Sequence, residues 1–442
     1  MSALPPGPRR PRALQALAWM RQPLPFLESC HRRYGDAFTL RILRWGDWVI
    51  LADPADVKRV FTAGPKVGVA VANPLLRPVL GPQSVMLTEE PRHMVKRRLM
   101  LPSFHGESVA ADAAMMAEVA QREVASWPIG EPFELWPRMQ SITQEVVMRA
   151  VFGLDREGRY DEIRRRLTAL TRWMNVPRNL TRLALFGPER LARSRGYREA
   201  MGPVEEAVME EARRRRANPD AAPPGVVTML VEARYEDGSP LSDGELRDEL
   251  LTLLTDGPTS TSLAWVFERL MRNPDKLERA REEVVSGGDG AYLDAVIRET
   301  LRMRPPVPVV VRTLLEPMTL GGHDLPAGTT VAPCIPLIHF SEEHYPDPHS
   351  FLPERFLGKP APTYAWIPFG GGTRRCLAAS YAEMEMKRVL RTVLADVDLR
   401  PADDRFERMR KSAISFSPDR RALVIAEPRA AGKPATRTLT AV

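Results

Sequence analysis

The sequence predicts a mainly helical fold with smaller β-rich parts. From about residue 89 to residue 288, apolar residues recur at spacings of three and four, which is the pattern of amphipathic helices. Short strand patterns lie on either side of this region. No long linker, internal repeat or low-complexity block divides the 442 residues.

Strands are predicted first near the N-terminus, in "DAFTLRIL" (36–43) and "DWVILADP" (47–54). A second set is predicted in "PMTLGGHDLPAGTTVAP" (317–333), where a Gly-Gly turn and a Pro-Ala-Gly turn join short strands. The stretch "CLAASYAEMEMKRVLRTVLADV" (376–397) returns to a helical pattern. The C-terminal "AEPRAAGKPATRTLTAV" has the composition of a disordered tail, which we assign to residues 429–442.

The composition is that of a globular protein, with 44% hydrophobic and 27% charged residues, which is enough to build a core. The net charge is +7, but the arginines are spread along the chain and alternate with acids in runs such as "EARRRRANPD" (211–220). Such runs are typical of solvated helix faces, so we expect no nucleic-acid partner. A basic patch for an acidic protein partner remains open.

The cysteine count indicates a reducing compartment, because three cysteines without paired spacing do not form a disulfide framework. We therefore expect a soluble, cytoplasmic protein. No apolar run approaches the roughly 18 residues that a membrane span requires. The N-terminal "MSALPPGPRRPRALQ" also lacks the apolar core of a signal peptide, so no membrane anchor is expected.

Cys376 ends the stretch "FGGGTRRC" (369–376), in which a glycine triplet and two arginines precede the cysteine. A lone cysteine is most often a small buried hydrophobic residue. The glycines lack the following lysine of a phosphate-binding loop, a nucleophilic thiol would need a general base, and the three cysteines lack zinc-site spacing. A tight turn with arginines and a helix start should lower the pKa of the thiol and suit it to one soft metal centre, such as haem iron.

Two further motifs precede this stretch. "ETLRMRPP" (299–306) places Glu299 and Arg302 on one helical face, and "PERF" (353–356) follows. Alone, Glu299 and Arg302 would be an ordinary surface ion pair. In this order and spacing, and together with "HMVKR" (93–97), the motifs resemble the cytochrome P-450 family, and the soluble bacterial members most of all.

The resemblance covers nearly the whole chain. It implies the fold of that family, a triangular, mostly helical single domain with a smaller β-rich part, over residues 1–428. It also implies haem b (iron protoporphyrin IX) as the cofactor, with Cys376 as the thiolate ligand of the iron. Ala378 stands where the family usually has glycine, and its methyl group should crowd the start of the following helix against the haem without removing the ligand.

The resemblance also implies roles for several charged residues, which would otherwise be solvated ions. Contacts with the haem propionates are implied for Arg374, His93, Arg97 and Arg312. A buried ion-pair triad that shapes the cysteine loop is implied for Glu299, Arg302 and Arg355.

The implied activity is insertion of one oxygen atom from O2 into an apolar organic molecule. The chain has no flavin or iron–sulfur motif, so the electrons would come from a ferredoxin or flavodoxin-type donor with its reductase, docked on the basic cysteine side. Two alternatives remain open: a member that uses peroxide or catalyses a non-hydroxylating reaction, and a haem-binding or ligand-binding protein without turnover. By position in the family, residues 86–87, 175–187 and 307–311 border the substrate pocket.

The stretch "LLTDGPTSTSLAW" (253–265) departs from the family pattern Gly-x-Asp/Glu-Thr-Thr, whose acid and alcohol help to deliver protons. Matching from the left aligns Gly257 with the family glycine, and matching from the right aligns Pro258 with the usual threonine. We expect Pro258 to kink the helix. Asp256 and Thr259 are the candidate catalytic acid and alcohol if they restore the relay in another geometry. Otherwise reductant should couple inefficiently to product, and peroxide should serve better.

Overall fold

The computed structural model describes residues 4–43, 45–69, 76–154, 159–176, 178–179, 182, 186–219, 225–254, 258–412 and 415–429. Helices dominate the described chain. The α-helices are α1 (Arg12–Arg21), α2 (Pro23–Tyr34), α3 (Pro54–Thr62), α4 (Arg77–Leu80), α5 (Arg92–Met100), α6 (Glu107–Val124), α7 (Leu135–Phe152), α8 (Arg159–Asn175), α9 (Pro188–Ala192), α10 (Arg195–Ala217), α11 (Val226–Glu232), α12 (Asp243–Leu254), α13 (Thr259–Met271), α14 (Pro274–Val285), α15 (Ala291–Met303), α16 (Ile335–His339) and α17 (Ala379–Asp396). Short 3-10 turns cover Gly64–Lys66, Leu101–Phe104, Pro353–Phe356 and Gly372–Arg374.

The strands are short and form small sheets. They are β1 (Ala37–Ile42), β2 (Gly46–Leu51), β3 (Val67–Gly68), β4 (Pro132–Glu134), β5 (Arg312–Leu314), β6 (Met318–Leu320), β7 (His323–Leu325), β8 (Thr330–Pro333), β9 (Val397–Pro401), β10 (Met409–Ser412), β11 (Ser415–Pro418) and β12 (Leu423–Pro428).

The largest sheet has the strand order β1-β2-β8-β5-β3. Its β2–β8 pair is parallel, with Trp48 opposite Thr330, whereas its other pairs are antiparallel. A three-stranded sheet has the order β4-β12-β9, and two hairpins join β6 to β7 and β10 to β11. The parallel pair joins strands from the two predicted β regions, so residues near 50 and residues near 331 form one layer.

The main apolar core lies among the helices. It includes Met116 on α6, Ile142 on α7, Leu263 on α13 and Val389 on α17, each fully buried. A second core packs the large sheet against α3 and α16 and includes buried Val49, Val57, Leu314 and Ile335. Burial of these side chains is the main force that holds the layers together.

Helices α5, α15 and α17 and the 3-10 turn Gly372–Arg374 contribute to the candidate site. α17 begins three residues after Cys376 and packs against α6 and α15. α15 carries Glu299 and Arg302, and α5 carries His93 and Arg97. The 3-10 turn Gly372–Arg374 contacts α3, whose start is capped by Asp53 through a hydrogen bond from the Ala55 N–H.

The predicted fold class is confirmed: helices form the bulk of the structure, and β1, β2, β6, β7 and β8 lie in the predicted strand stretches, whereas the sequence reasoning missed the other strands. One boundary differs, because residues 426–428 of the stretch assigned a tail composition belong to β12, which pairs with β9 through Ala426 and Leu399. A tail from 429 stays a prediction, since residues 430–442 lie outside the described chain. No helix in the described ranges is long and apolar enough to cross a membrane.

Pro258 lies directly before a helix in the described chain. α12 ends at Leu254 and α13 begins at Thr259, with Pro258 directly before its first residue. The Pro258 carbonyl accepts hydrogen bonds from the Ser262 N–H (2.9 Å) and from Ser262 Oγ (3.0 Å). Proline suits this position because the first residues of a helix have no partner for their N–H groups.

Candidate functional site

Backbone hydrogen bonds close a tight turn before Cys376. The Cys376 N–H donates to the Phe369 carbonyl (2.9 Å), and the Arg375 N–H donates to the Gly372 carbonyl (3.1 Å). Gly370 and Gly372 have φ angles of 69° and 67°, in the left-handed region that favours glycine. The glycines thus let the chain turn sharply enough to present the cysteine.

A close approach to Phe61 on α3 also requires glycine in this turn. A Cβ atom on Gly371 would lie 2.2 Å from Phe61 Cδ2, and one on Gly372 would lie 1.9 Å from the Phe61 carbonyl oxygen. Neither distance is sterically possible, so a side chain at either position would push the turn away from α3. The glycine triplet therefore fits both the turn and its seat on α3.

The Cys376 side chain is accessible to solvent, yet surrounding protein atoms raise the pKa of its thiol above the ordinary value. The Ala378 N–H, Arg375 and Arg97 act in the opposite direction, but burial has the larger effect on this pKa. The expectation of a lowered pKa is therefore wrong for the thiol by itself. A thiol of this kind becomes a thiolate when a metal ion binds the sulfur.

Ala378 adopts an ordinary backbone conformation, with φ of −92° and ψ of 21°. It directly precedes α17, and its side chain packs against the main core. The position therefore does not require glycine for backbone reasons, and alanine is accommodated at the helix start.

The predicted basic residues lie close enough to Cys376 and to one another to interact electrostatically. Burial lowers the pKa of Arg97, whereas the Cys376 sulfur raises it. Burial lowers the pKa of His93, and the positive charge of Arg374 lowers it further. The same two causes lower the pKa of Arg312 to about 10. The structure thus brings the basic residues predicted on α5, on β5 and in the cysteine turn into one cluster, which we call the basic cluster (His93, Arg97, Arg312 and Arg374).

The basic cluster contains more cations than nearby carboxylates. Arg374 Nη2 donates to the Thr88 carbonyl (2.9 Å) and forms an ion pair with Glu89 Oε2 (3.1 Å). His93 Nδ1 lies 2.8 Å from Glu90 Oε1.

Arg312 Nη1 donates to the carbonyl of the preceding residue, Val311 (2.9 Å). Within the described ranges, neither Arg97 nor Arg312 forms an ion pair with a carboxylate. Since a desolvated guanidinium needs an anionic partner, the cluster suits a ligand that carries carboxylate groups.

The three residues of the predicted triad are brought together. Glu299 and Arg302 are both 0% exposed and form a two-pronged ion pair, with Nε–Oε2 of 2.7 Å and Nη2–Oε1 of 2.8 Å. Arg355 Nε lies 3.5 Å from Glu299 Oε1, and the Leu352 N–H donates to the same oxygen (3.0 Å). The buried carboxylate is thus paired on both oxygens.

His339, which the sequence reasoning missed, joins the triad to the cysteine turn. Its Nδ1 lies 3.0 Å from the Arg302 carbonyl, and its Nε2 accepts a hydrogen bond from the Ile367 N–H (2.9 Å). Arg302 Nη1 in turn donates to the His339 carbonyl (2.8 Å). These bonds require a neutral imidazole with its proton on Nδ1.

The available signal for His339 was its position in the apolar run "CIPLIHF" (334–340), since a buried polar group needs partners. Burial lowers the pKa of His339 to about 3. Because Ile367 lies two residues before Phe369, the chain of hydrogen bonds reaches the start of the cysteine turn.

Buried Lys96 fixes the segment that precedes the basic cluster. Its Nζ forms an ion pair with Glu249 Oε1 on α12 (3.0 Å) and donates to the Gln83 carbonyl. Glu249 Oε2 accepts from the Val85 N–H (3.1 Å). Residues 83–88, which include the predicted pocket border at 86–87, are thereby attached to α12 and α5. Sequence reasoning missed both Lys96 and Glu89.

Of the two predicted relay residues, the structure describes Thr259 but not Asp256. Thr259 is the first residue of α13 and half-buried, and its hydroxyl hydrogen-bonds no group in the described part of the chain. Asp256 and Gly257 lie outside the described residues, as does much of the predicted pocket border at 175–187. The pairing of Asp256 with Thr259 therefore stays a prediction.

Comparisons with known proteins agree with one another. A family model described as "Cytochrome P450" matches residues 5–424. "Putative cytochrome P450 135B1" from Mycobacterium tuberculosis is 41% identical over 433 residues, covering 95% of this chain and 91% of that protein. "Putative cytochrome P450 137" from the same species is 37% identical over 440 residues, covering 94% and 90%.

Two solved structures share the fold at low identity. "Retinoic acid bound cyanobacterial CYP120A1" superposes with a TM-score of 0.84 at 22% identity, covering 97% of this chain and 100% of that one. The "cytochrome P450DA heme domain" superposes with a TM-score of 0.83 at 22% identity, covering 97% and 99%. At this identity the likeness establishes the fold.

We expect Glu299→Ala to lower the free energy of unfolding by about 3–5 kcal/mol, because it leaves two guanidinium groups without their shared carboxylate. Urea unfolding of the purified protein measures the change. The control is Glu199→Ala, which removes an exposed carboxylate 2.6 Å from Arg195 and should leave the free energy of unfolding nearly unchanged. Similar losses in the two variants would contradict a stabilising buried triad.

The buried imidazole of His339 should make stability depend on pH. Its pKa is about 3 in the folded protein and about 6.5 in the unfolded chain, so below pH 6.5 the unfolded state binds the extra proton. Stability is therefore lost as the pH falls. Between pH 6.5 and pH 5, the wild type should lose about 1.5 kcal/mol more than His339→Gln.

Urea midpoints measured at both pH values provide the comparison. The control is His105→Gln, which removes an exposed imidazole and should keep the pH dependence of the wild type. An unchanged pH dependence in His339→Gln would show that the imidazole is not held neutral.

Proposed function

This chain belongs to the cytochrome P450 family, whose members are monooxygenases that bind haem b through a cysteine thiolate, and we propose that it inserts one oxygen atom from O2 into an apolar organic substrate. The observation that carries the proposal is the exposed Cys376 beside Arg97 and Arg312, neither of which forms an ion pair with a carboxylate of the described residues. That combination fits a ligand with a metal centre and anionic edge groups.

In this proposal Cys376 is the iron ligand and the basic cluster binds the two propionates. Arg97 and Arg312 supply guanidinium groups without ion-pair partners among the described residues, while Arg374 is already shared with Glu89. When bound, haem with a thiolate ligand supplies the chemistry that favours O–O cleavage. The residue roles of Glu299, Arg302 and Arg355 are structural, because they hold the turn that presents the thiol.

We assign proton delivery to Thr259 and Asp256. Thr259 is a half-buried residue at the N-terminus of α13, and its hydroxyl makes no hydrogen bond to a described group, so the hydroxyl can donate to and accept from water or substrate. Asp256 would be the acid that passes protons from solvent to the Thr259 hydroxyl.

The proposed electron source is a separate ferredoxin or flavodoxin-type protein with its reductase. Arg375 is exposed and, with Arg97, acts electrostatically on Cys376, so positive charge lies beside the thiol. Small acidic electron carriers are attracted to such a surface, and the attraction raises their association rate. We propose that the whole of residues 1–428 forms the catalytic domain and that the protein works in the cytoplasm, where its free cysteines stay reduced.

The altered start of α13 favours one alternative function. Pro258 occupies the position before the helix, and the family's usual acid–alcohol pair is not aligned with it. If Thr259 does not deliver protons, a peroxide that brings both oxygen and protons would replace O2 and the electron donor. That alternative keeps haem and the same binding residues.

Cys376→Ser should abolish the thiolate signature. The reduced, haem-loaded wild type under carbon monoxide should show the long-wavelength absorption band of thiolate haem, because the sulfur donates electron density to iron. The control is Cys30→Ala, which removes a buried thiol on α2 and should keep the band. A folded, fully loaded wild type without this band would contradict the assignment of Cys376.

Thr259→Ala should lower the product formed per reductant consumed, because water would have to replace the hydroxyl in the relay. The control is Ser262→Ala, whose hydroxyl is bound to the Pro258 carbonyl and should not take part. Loss in the first variant alone identifies Thr259 as the working alcohol. Low and equal values in all three proteins, with better product yield from peroxide, would favour the alternative function.

A further inference from the structure

The outward face of α1 is apolar. Leu14, Leu17 and Met20 are 52%, 46% and 58% exposed, and their spacing of three places them in one stripe along the helix. The inward face carries Gln15 and Trp19, which are 1% and 5% exposed. A surface helix normally turns its large apolar residues inward, and α1 does so with Trp19 but leaves Leu14, Leu17 and Met20 in solvent.

Hydrogen bonds to Gln15 fix this orientation. Its Nε2 donates to the Pro8 carbonyl (3.0 Å) and the Arg10 carbonyl (2.7 Å), and its Oε1 accepts from the Arg41 N–H on β1 (2.9 Å). Rotating α1 to bury the leucines would break all three bonds and expose Trp19. The apolar stripe is therefore held outward by the fold.

The surroundings of the stripe are strongly basic. The chain contains no aspartate or glutamate before Glu28, whereas arginines occur at Arg9, Arg10, Arg12 and Arg21. All four are exposed, and Arg12 forms an ion pair with Asp47 (2.8 Å). Within the described ranges, the other three have no carboxylate partner.

We propose that α1 is a surface anchor that rests on an anionic lipid bilayer, with Leu14, Leu17 and Met20 between the headgroups and the arginines on the phosphates. α1 has 10 residues and is about 15 Å long, too short to span a bilayer, so it lies in the plane of the interface. A convex ridge of flexible side chains needs no complementary pocket in lipid, whereas a protein partner would have to supply one.

A second copy of the chain is a poorer occupant. Two α1 stripes packed together would bring both sets of arginines close, and like charges at short distance repel. An anionic lipid surface suits both the apolar stripe and the arginines, because it offers hydrocarbon beneath a negatively charged layer.

The experiment is sedimentation of the haem-loaded protein with vesicles of phosphatidylglycerol mixed with phosphatidylcholine, and with vesicles of phosphatidylcholine alone. Binding is expected to the anionic vesicles and to weaken strongly at about 1 M salt. The triple variant Leu14→Ser/Leu17→Ser/Met20→Ser should bind at least about tenfold more weakly. The control is Val285→Ser, which changes a 68% exposed residue on α14 and should bind as the wild type does.

A second arm tests the charge. Arg9→Gln/Arg10→Gln/Arg21→Gln should lose the preference for anionic vesicles, whereas Arg195→Gln, a control with an exposed arginine on α10, should keep it. Haem absorption checks the folding of each variant. The proposal is overturned if the wild type does not bind anionic vesicles, if the triple serine variant binds equally well, or if gel filtration shows a dimer that the serine substitutions dissociate.

Discussion

The ion pair between Glu299 and Arg302 is the interaction on which the candidate site depends. Both residues are fully buried, and removing two charges from water costs several kcal/mol per ion unless every polar atom finds a partner. Glu299 meets that condition through Arg302, Arg355 and the Leu352 N–H, and Arg302 also donates to the His339 carbonyl. The pair therefore holds α15, the 3-10 turn Pro353–Phe356 and the segment around His339 in one arrangement.

His339 connects this ion pair to the cysteine turn by hydrogen bonds. Its imidazole bonds the Arg302 carbonyl on one side and the Ile367 N–H on the other. Two residues further on, the Phe369 carbonyl accepts the Cys376 N–H and closes the turn. Phe61 limits the turn from the other side, where only glycine fits. The sulfur is thus presented by rigid contacts on both sides, as a binding site requires.

Charge balance explains why this arrangement can hold a ligand. Burial disfavours the charged form of each of these groups. It raises the pKa of the Cys376 thiol and lowers the pKa values of Arg97, Arg312 and Arg374. A ligand that brings a metal cation to the sulfur and carboxylates to the arginines would stabilise the charged form of both kinds of group. Glu89 and Glu90 offset part of the positive charge, and the remainder is left for the ligand.

The sequence alone determined the mainly helical fold class and the position of the cysteine turn, because these depend on local periodicity and turn chemistry, and the resemblance carried by its motifs implied most charged residues of the site. Only the tertiary structure decided how His339 and Glu89 act, since their bonds to Arg302 and Arg374 join residues 37 and 285 positions apart. It also decided that α1 turns Gln15 and Trp19 inward and its leucines outward, because Gln15 makes three hydrogen bonds and Trp19 packs in a core cluster. The pKa of Cys376 is a further example. The neighbouring arginines, which lower this pKa, could be identified in the sequence, but the burial that raises it by more exists only in the folded chain.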